Sequence, residues 1–149
     1  MPARDVYHDR VIHALTADGW KITHDPLRLH WGGKDLYIDL GAEQILAAEK
    51  AGQKIAVEIK SFLGPSVIAD LEQALGQYIL YHDLLARIEP ERVLYLAIHA
   101  AIFHSLFAEP IGEVLLANQR VRLLVFDPHT EEIVQWLPYL TTDPSLSES

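Results

Sequence analysis

The spacing of hydrophobic and polar positions changes period several times along the chain, and each change marks an element. From Arg4 to Asp18 the apolar residues Val6, Val11, Ile12, Ala14 and Leu15 recur at helical spacing and Gly19 follows as a stop, which predicts a first helix. Trp20 to Thr23 then alternates like a strand until His24-Asp25-Pro26 turns it. Two β-branched, apolar runs follow, Lys34-Asp35-Leu36-Tyr37-Ile38-Asp39-Leu40 and Lys54-Ile55-Ala56-Val57-Glu58-Ile59-Lys60. Both read as strands, the second returning antiparallel to the first. Before them, the stretch Arg28 to Lys34, with His30, Trp31, Gly32 and Gly33, reads as mobile and mixes cations with an aromatic ring. It suits contact with a nucleic-acid backbone, and equally a loop with one buried Trp. Gly41 reads as a bulge, and Glu43 to Glu49 as extended or briefly helical before Lys50-Ala51-Gly52-Gln53 turns.

In the second half, Ser66 stands as an N-cap to a long helix that runs to Ile88 and is closed by Glu89-Pro90. Ile68, Leu71, Ala74, Leu75, Tyr78, Ile79, Leu85 and Ile88 form its predicted apolar stripe, while Gln73, Gln77 and Tyr81, at steps of four, share another face. Such residues suit hydrogen bonds to a phosphate, a base or a carboxylate, or simply a polar helix edge. Arg92 to His99 is nearly continuous apolar sequence, the mark of a strand covered on both faces. Helical stretches follow through Phe103 and over Ile111 to Asn118, then strands over Val121 to Phe126 and Ile133 to Leu137, separated by an Asp127-Pro128-His129-Thr130 turn. The order is mixed α/β with a central sheet flanked by helices, in one domain over residues 1–137. Residues 138–149, rich in Ser, Thr, Pro and Asp, read as a flexible tail.

Strand parity supplies the candidate chemistry. Ile55, Val57 and Ile59 point one way, so Glu58 and Lys60 share the other face, and Asp39 lies opposite Ile38 and Leu40. If the two strands are neighbours, Asp39 approaches Glu58 with a lysine at the edge. A hard divalent cation such as Mg²⁺ suits this set, because it takes oxygen ligands and commonly only one or two carboxylates. Lys60 is placed to act on an attacking water or to offset charge in the transition state. A solvated charged edge on an amphipathic strand produces the same spacing, and both readings stand until context is added.

Composition changes this picture in one respect. The net charge of −9 argues against strong unaided binding to nucleic acid, whose affinity comes mainly from phosphate contacts. The charge is uneven: residues 1–60 carry eight Lys and Arg against nine Asp and Glu, and residues 61–149 carry four against twelve. Weak or partner-dependent DNA binding is the expectation. The absence of cysteine excludes disulfides and thiolate metal sites. With no apolar leader at Met1-Pro2-Ala3-Arg4-Asp5 and no run of membrane-spanning length, a soluble cytoplasmic protein is expected.

Asp39 followed by Glu58-Ile59-Lys60 resembles the PD-(D/E)xK nuclease signature, and the element order matches the αβββαβ core of restriction-endonuclease-like folds. More closely, Asp18-Gly-Trp-Lys-Ile-Thr-His-Asp-Pro26, Tyr37-Ile-Asp-Leu-Gly-Ala-Glu43, Ile55-Ala-Val-Glu-Ile-Lys-Ser-Phe62 and Ala74-Leu-Gly-Gln-Tyr78 resemble the XisH family of fdxN element excision controlling factors, over residues 3–137. The resemblance implies programmed excision of a DNA element, beside a site-specific recombinase and an XisI-like companion. Gln77-x-x-x-Tyr81 resembles a helix element of RecB-type nucleases, which implies that both residues orient substrate. Where such nucleases place a Glu in the first helix, this chain has His8 and Asp9, so His8 joins Asp39 and Glu58 as a candidate ligand of Mg²⁺ or Mn²⁺.

Two functions follow. One is a metal-dependent DNA endonuclease with Asp39, Glu58, Lys60, Gln77 and Tyr81 in its site. The other is a non-catalytic accessory or regulatory subunit that keeps the scaffold to contact DNA or a companion protein. A two-fold homodimer, presenting two sites to two DNA strands, is compatible with either.

Overall fold

The computed structural model describes residues 4–44 and 52–138. Helix α1 spans His8–Ala17 and buries Val11, Ala14 and Leu15, so the predicted periodicity holds but begins later than Arg4. Asp18 caps it, and Gly19 takes φ +92°, where a Cβ would meet Gln44 Nε2 at 2.9 Å. The turn needs that glycine for its backbone, since the near atom is the movable end of a glutamine side chain.

Six strands form one sheet in the order β1-β4-β5-β6-β7-β8: β1 Lys21–His24, β4 Leu40–Gln44, β5 Gln53–Ile59, β6 Arg92–His99, β7 Leu123–Asp127 and β8 Glu132–Leu137. The β5–β6 and β6–β7 pairs are parallel and the others antiparallel, so the sheet is mixed. Parallel neighbours need a crossover. Helix α2, Val67–Ile88, supplies it between β5 and β6, and α3 (Ala100–Leu106) with α4 (Pro110–Ala117) supplies it between β6 and β7. Both sheet faces are covered: α1 packs with Trp20, Ile55, Val57, Ile59, Tyr95 and Phe126, and α2 packs on the other face with Ala56, Leu94, Leu96 and Ile98. This double burial is why β5 and β6 read as apolar runs. Among the described residues, no single helix is long and apolar enough to cross a membrane.

Ser66 caps α2 as predicted, its Oγ accepting from Ala69 N at 3.1 Å. The stripe differs from the sequence expectation. Leu71, Ala74, Tyr78, Tyr81 and Leu85 are buried, whereas Ile68, Ile79 and Ile88 are exposed. Tyr81 thus belongs to the packed face, not to a polar edge. Tyr78 is pinned structurally, its hydroxyl donating to Leu94 O and accepting from Arg122 N, both at 3.1 Å.

Three expectations are corrected. The stretch read as mobile is a regular hairpin, β2 Leu27–Trp31 against β3 Lys34–Ile38, forming a second, two-stranded sheet. Gly32 and Gly33 turn it with φ +58° and +75°, the pair of positive values a two-residue hairpin loop demands. The predicted strand from Lys34 to Leu40 therefore splits at Asp39, because β3 pairs with β2 while β4 pairs with β1 and β5. Gly41 is no bulge on its own strand; the register shift lies on the facing β1, between Ile22 and His24. A Cβ at Gly41 would meet His24 Nδ1 at 3.0 Å and Arg92 Nη1 at 3.3 Å, so close approach is its reason. The expectations for residues 45–49 and for the tail from 139 onward lie outside the described residues.

Candidate active site

The antiparallel register of β4 on β5 places Leu40 opposite Val57, so the next pair along is Asp39 and Glu58. No ordinary rung forms there, because the chain leaves for the second sheet. Side chains replace it: Asp39 N donates to Glu58 Oε1 at 3.2 Å, and Ile59 N donates to Asp39 Oδ2 at 2.8 Å. Each carboxylate is held by a main-chain N–H of the opposite strand. Parity sends Glu58 to the same face as Ala56, toward α2, as the alternation predicts. The place is the carboxyl end of a central parallel strand, where open α/β sheets commonly bind ligands.

Burial makes this pair costly. Glu58 is only 8% exposed, and its carboxyl is pushed up to about 9, first by burial and then by the charge of Asp39. Asp39 is also raised by burial, against the pull of the Ile59 N–H and the neighbouring Glu58 and His8. At neutral pH the pair therefore holds a proton, which keeps two carboxylates from ionising side by side. Asp5 adds to the pressure: its carboxylate accepts from Tyr7 N at 2.8 Å and Ser61 N at 3.1 Å, and its charge raises both acids. Sequence reasoning missed Asp5. It precedes the first helix and carries no spacing signal; only the contact with Ser61, next to Lys60, reveals its place.

Lys60 lies just beyond β5. Its backbone N donates to Ala97 O at 3.1 Å, and its Nζ donates to Gln73 Oε1 at 2.6 Å. Gln77, one turn along α2, is half-buried, and Tyr81, a turn further, is buried. The Tyr81 hydroxyl is pushed up to about 12 by burial and by the charges of Glu58 and Asp39, so it remains a donor at neutral pH. The sequence-predicted residues thus divide into a joined pair, Asp39 with Glu58, a lysine held by α2, and a phenol in the field of both acids.

His8 and Asp9 separate. Asp9 is exposed and pairs with Arg4 at 3.0 Å, outside the site. His8 is 4% exposed; its Nε2 meets Asp25 Oδ1 at 2.7 Å and its Nδ1 has no partner. Among the described residues, no group of three or more His, Asp or Glu side chains gathers as a metal cage, so Asp39, Glu58 and His8 do not form the three-ligand set the sequence suggested. The carboxylate pair alone still fits a hard divalent cation, which accepts one or two carboxylates and completes its shell with water. The cation's charge would take the place of the proton that the pair now holds. Two clefts lie elsewhere along α2, against Arg92 and Arg122, and neither is lined by Asp39, Glu58 or Lys60.

Comparison with known proteins agrees with this architecture. No curated protein matches the chain. Two solved structures do: an XisH family protein from Nostoc punctiforme PCC 73102, with TM-score 0.80, and an fdxN element excision controlling factor protein from Anabaena variabilis, with TM-score 0.79. Each is 42% identical, with 89% of this chain and 98% of the other covered. The family model for the XisH protein matches residues 1–134. A match over that span, together with solved relatives 42% identical over 89% of the chain, places the chain in the XisH family.

Proposed function

We propose that this chain is a metal-dependent, endonuclease-like protein of DNA-element excision, with Asp39, Glu58 and Lys60 at its reacting centre. One observation carries the reading: two carboxylates from neighbouring strands are forced together at the carboxyl end of β5, with an ammonium two residues on. The succession of helix, three sheet strands, helix and strand supports a restriction-endonuclease-like core. The description of the Anabaena relative as an fdxN element excision controlling factor supports the biological setting.

Asp39 and Glu58 would hold Mg²⁺ or Mn²⁺, which when bound supplies Lewis acidity toward a phosphodiester and makes water a better nucleophile. The chain's own contribution is preorganisation, since both carboxylates are already anchored by main-chain N–H groups. Glu58 must release its proton for loading, so cation affinity rises with pH. Lys60, held by Gln73, offsets negative charge developing on the phosphoryl oxygens. Gln77 and Tyr81 orient the substrate from the α2 side, Tyr81 as a hydrogen-bond donor. His8, bonded to Asp25 on the α1 side, would favour the ionised form of Asp39 when it carries a proton.

The test is incubation of the full chain, with and without an XisI-like companion, with supercoiled, linear and branched DNA in Mg²⁺ or Mn²⁺. Cleavage by the native chain but not by Lys60→Ala is expected. Failure to cut any of these, together with no heat of metal binding in calorimetry, ends the catalytic reading. The net charge of −9 favours a second reading, an accessory subunit that contacts the companion or a recombinase and leaves chemistry to them. On that reading Lys60→Ala leaves excision unchanged.

A further inference from the structure

We infer that the β2–β3 hairpin is a ribbon that enters the major groove of duplex DNA and carries Trp31 and Lys34 to a contact roughly five base pairs from the phosphate at Asp39. The inference rests on the nucleic-acid reading of the site and adds how the substrate is gripped.

The hairpin has two rows. Its inner row, Leu27, Leu29, Leu36 and Ile38, packs on the core that α2 shares. Trp31 and Lys34 continue that row beyond the core, directly opposite each other at the tip. Lys34 is exposed and Trp31 is 48% exposed, a large aromatic side chain left beside a cation. A Cβ at Gly32 or Gly33 would meet nothing within 4 Å, so the tip projects into open space. The outer row holds Arg28 and His30, both bonded to Asp35: Arg28 Nη2 at 2.8 Å and His30 Nδ1 at 2.7 Å. Arg28 is neutralised by Asp35, which leaves Lys34 as the uncompensated charge of the ribbon, a cation in a chain of net charge −9. That sign fits a polyanion.

Placement selects the form of nucleic acid. Ile38, the last residue of β3, immediately precedes Asp39, so the ribbon is tied to the carboxylate pair without a flexible joint. Five residue-to-residue steps lead from Lys34 to Asp39, which at the rise of a strand is roughly 17 Å, or about five steps of a DNA duplex. The major groove, about 12 Å wide, admits a two-stranded ribbon. An exposed indole at its tip can stack on or wedge against bases, and Lys34 can meet a phosphate.

The test uses a fluorescein-labelled 24-base-pair duplex with Mg²⁺, in the Lys60→Ala background so that the DNA stays intact. Trp31→Ala with Lys34→Ala should weaken binding at least about tenfold and make the dependence of log K on log salt shallower by about one. Both residues are exposed, so the thermal midpoint should not move. Independently, DNA should change the intrinsic emission of the parent, and Trp31→Phe should abolish that change, because Trp20 is buried and Trp136 is half-buried on β8, an edge strand of the other sheet. Unaltered affinity and emission, or no binding at low salt, overturns the ribbon proposal and leaves the tip to a protein partner. Binding through the tip by a native chain that never cuts keeps the ribbon and ends the nuclease reading.

Discussion

The two ends of β5 handle charge in opposite ways. Near its start, Lys54 Nζ lies 4.0 Å from Glu43 and 3.7 Å from Glu89. Glu89 also receives both Nε and Nη2 of Arg92, at 2.7 and 3.1 Å, and Arg92 Nη1 donates to Ile55 O at 2.9 Å. The Arg92 guanidinium holds the Glu89 carboxyl below the usual range. At the far end Glu58 meets Asp39, and burial with a like charge drives it to about 9. One strand thus joins a charge-matched anchor to a stored repulsion that only a proton or a cation relieves. Pairs whose surroundings force their titration apart mark sites of chemistry more often than sites of support. The contrast, more than any single residue, is what supports the proposed site at this end of the sheet.

Breaking the matched end should have the largest effect. Arg92→Ala leaves Glu89 and the Ile55 carbonyl without their buried partner and should cost about 3–5 kcal/mol in denaturant unfolding at unchanged m-value. A loss near zero would erase the contrast. At the opposite end, Lys60→Ala should lower DNA cleavage by roughly 10²- to 10³-fold with little change in the unfolding midpoint.

The repulsion itself is read through pH. Without metal, the folded state keeps a Glu58 proton up to about 9, whereas the unfolded chain releases it near 4.5. The folded state binds the extra proton, so stability should fall as pH rises through that window. Glu58→Gln should flatten the slope and gain on the order of 1–3 kcal/mol at pH 8. Thermal melts from pH 5 to 9 in a chelator check this, and a level profile for the native chain contradicts it. Added Mg²⁺ should restore stability most at the alkaline end. Lys54→Ala should matter least, below about 1 kcal/mol, because its pairs are long and its side chain is 38% exposed.

Much of this was legible in the sequence. Alternation in Ile55-Ala-Val-Glu-Ile set the face of Glu58, and Ser66 with Glu89-Pro90 bounded α2, because local periodicity and capping chemistry survive packing. The hairpin was legible too: Leu27-x-Leu29 and Leu36-x-Ile38 flank Gly32-Gly33, a turn signal the cations obscured. What stayed hidden is non-local. Nothing in Lys34 to Leu40 discloses that Asp39 is where the chain changes sheets, since alternation continues straight through it. Tyr81 was misplaced because the buried stripe of α2 is wider than one row. The roles of Asp5 and Asp25 depend on contacts with Ser61 and His8, across 56 and 17 residues.

The two bonds that anchor these carboxylates, from Asp39 N to Glu58 and from Ile59 N to Asp39, have a consequence for descent. These acids finish a seam in the sheet that the departing hairpin leaves open, whatever else they do. On the proposed function, a lineage that abandoned cutting would still be obliged to retain them, and inheritance of the pair would then record architecture alone. Lys60, whose ammonium closes no such seam and reaches only across to Gln73, is the position free to drift, and its fate in each relative is the better archive of lost or kept activity.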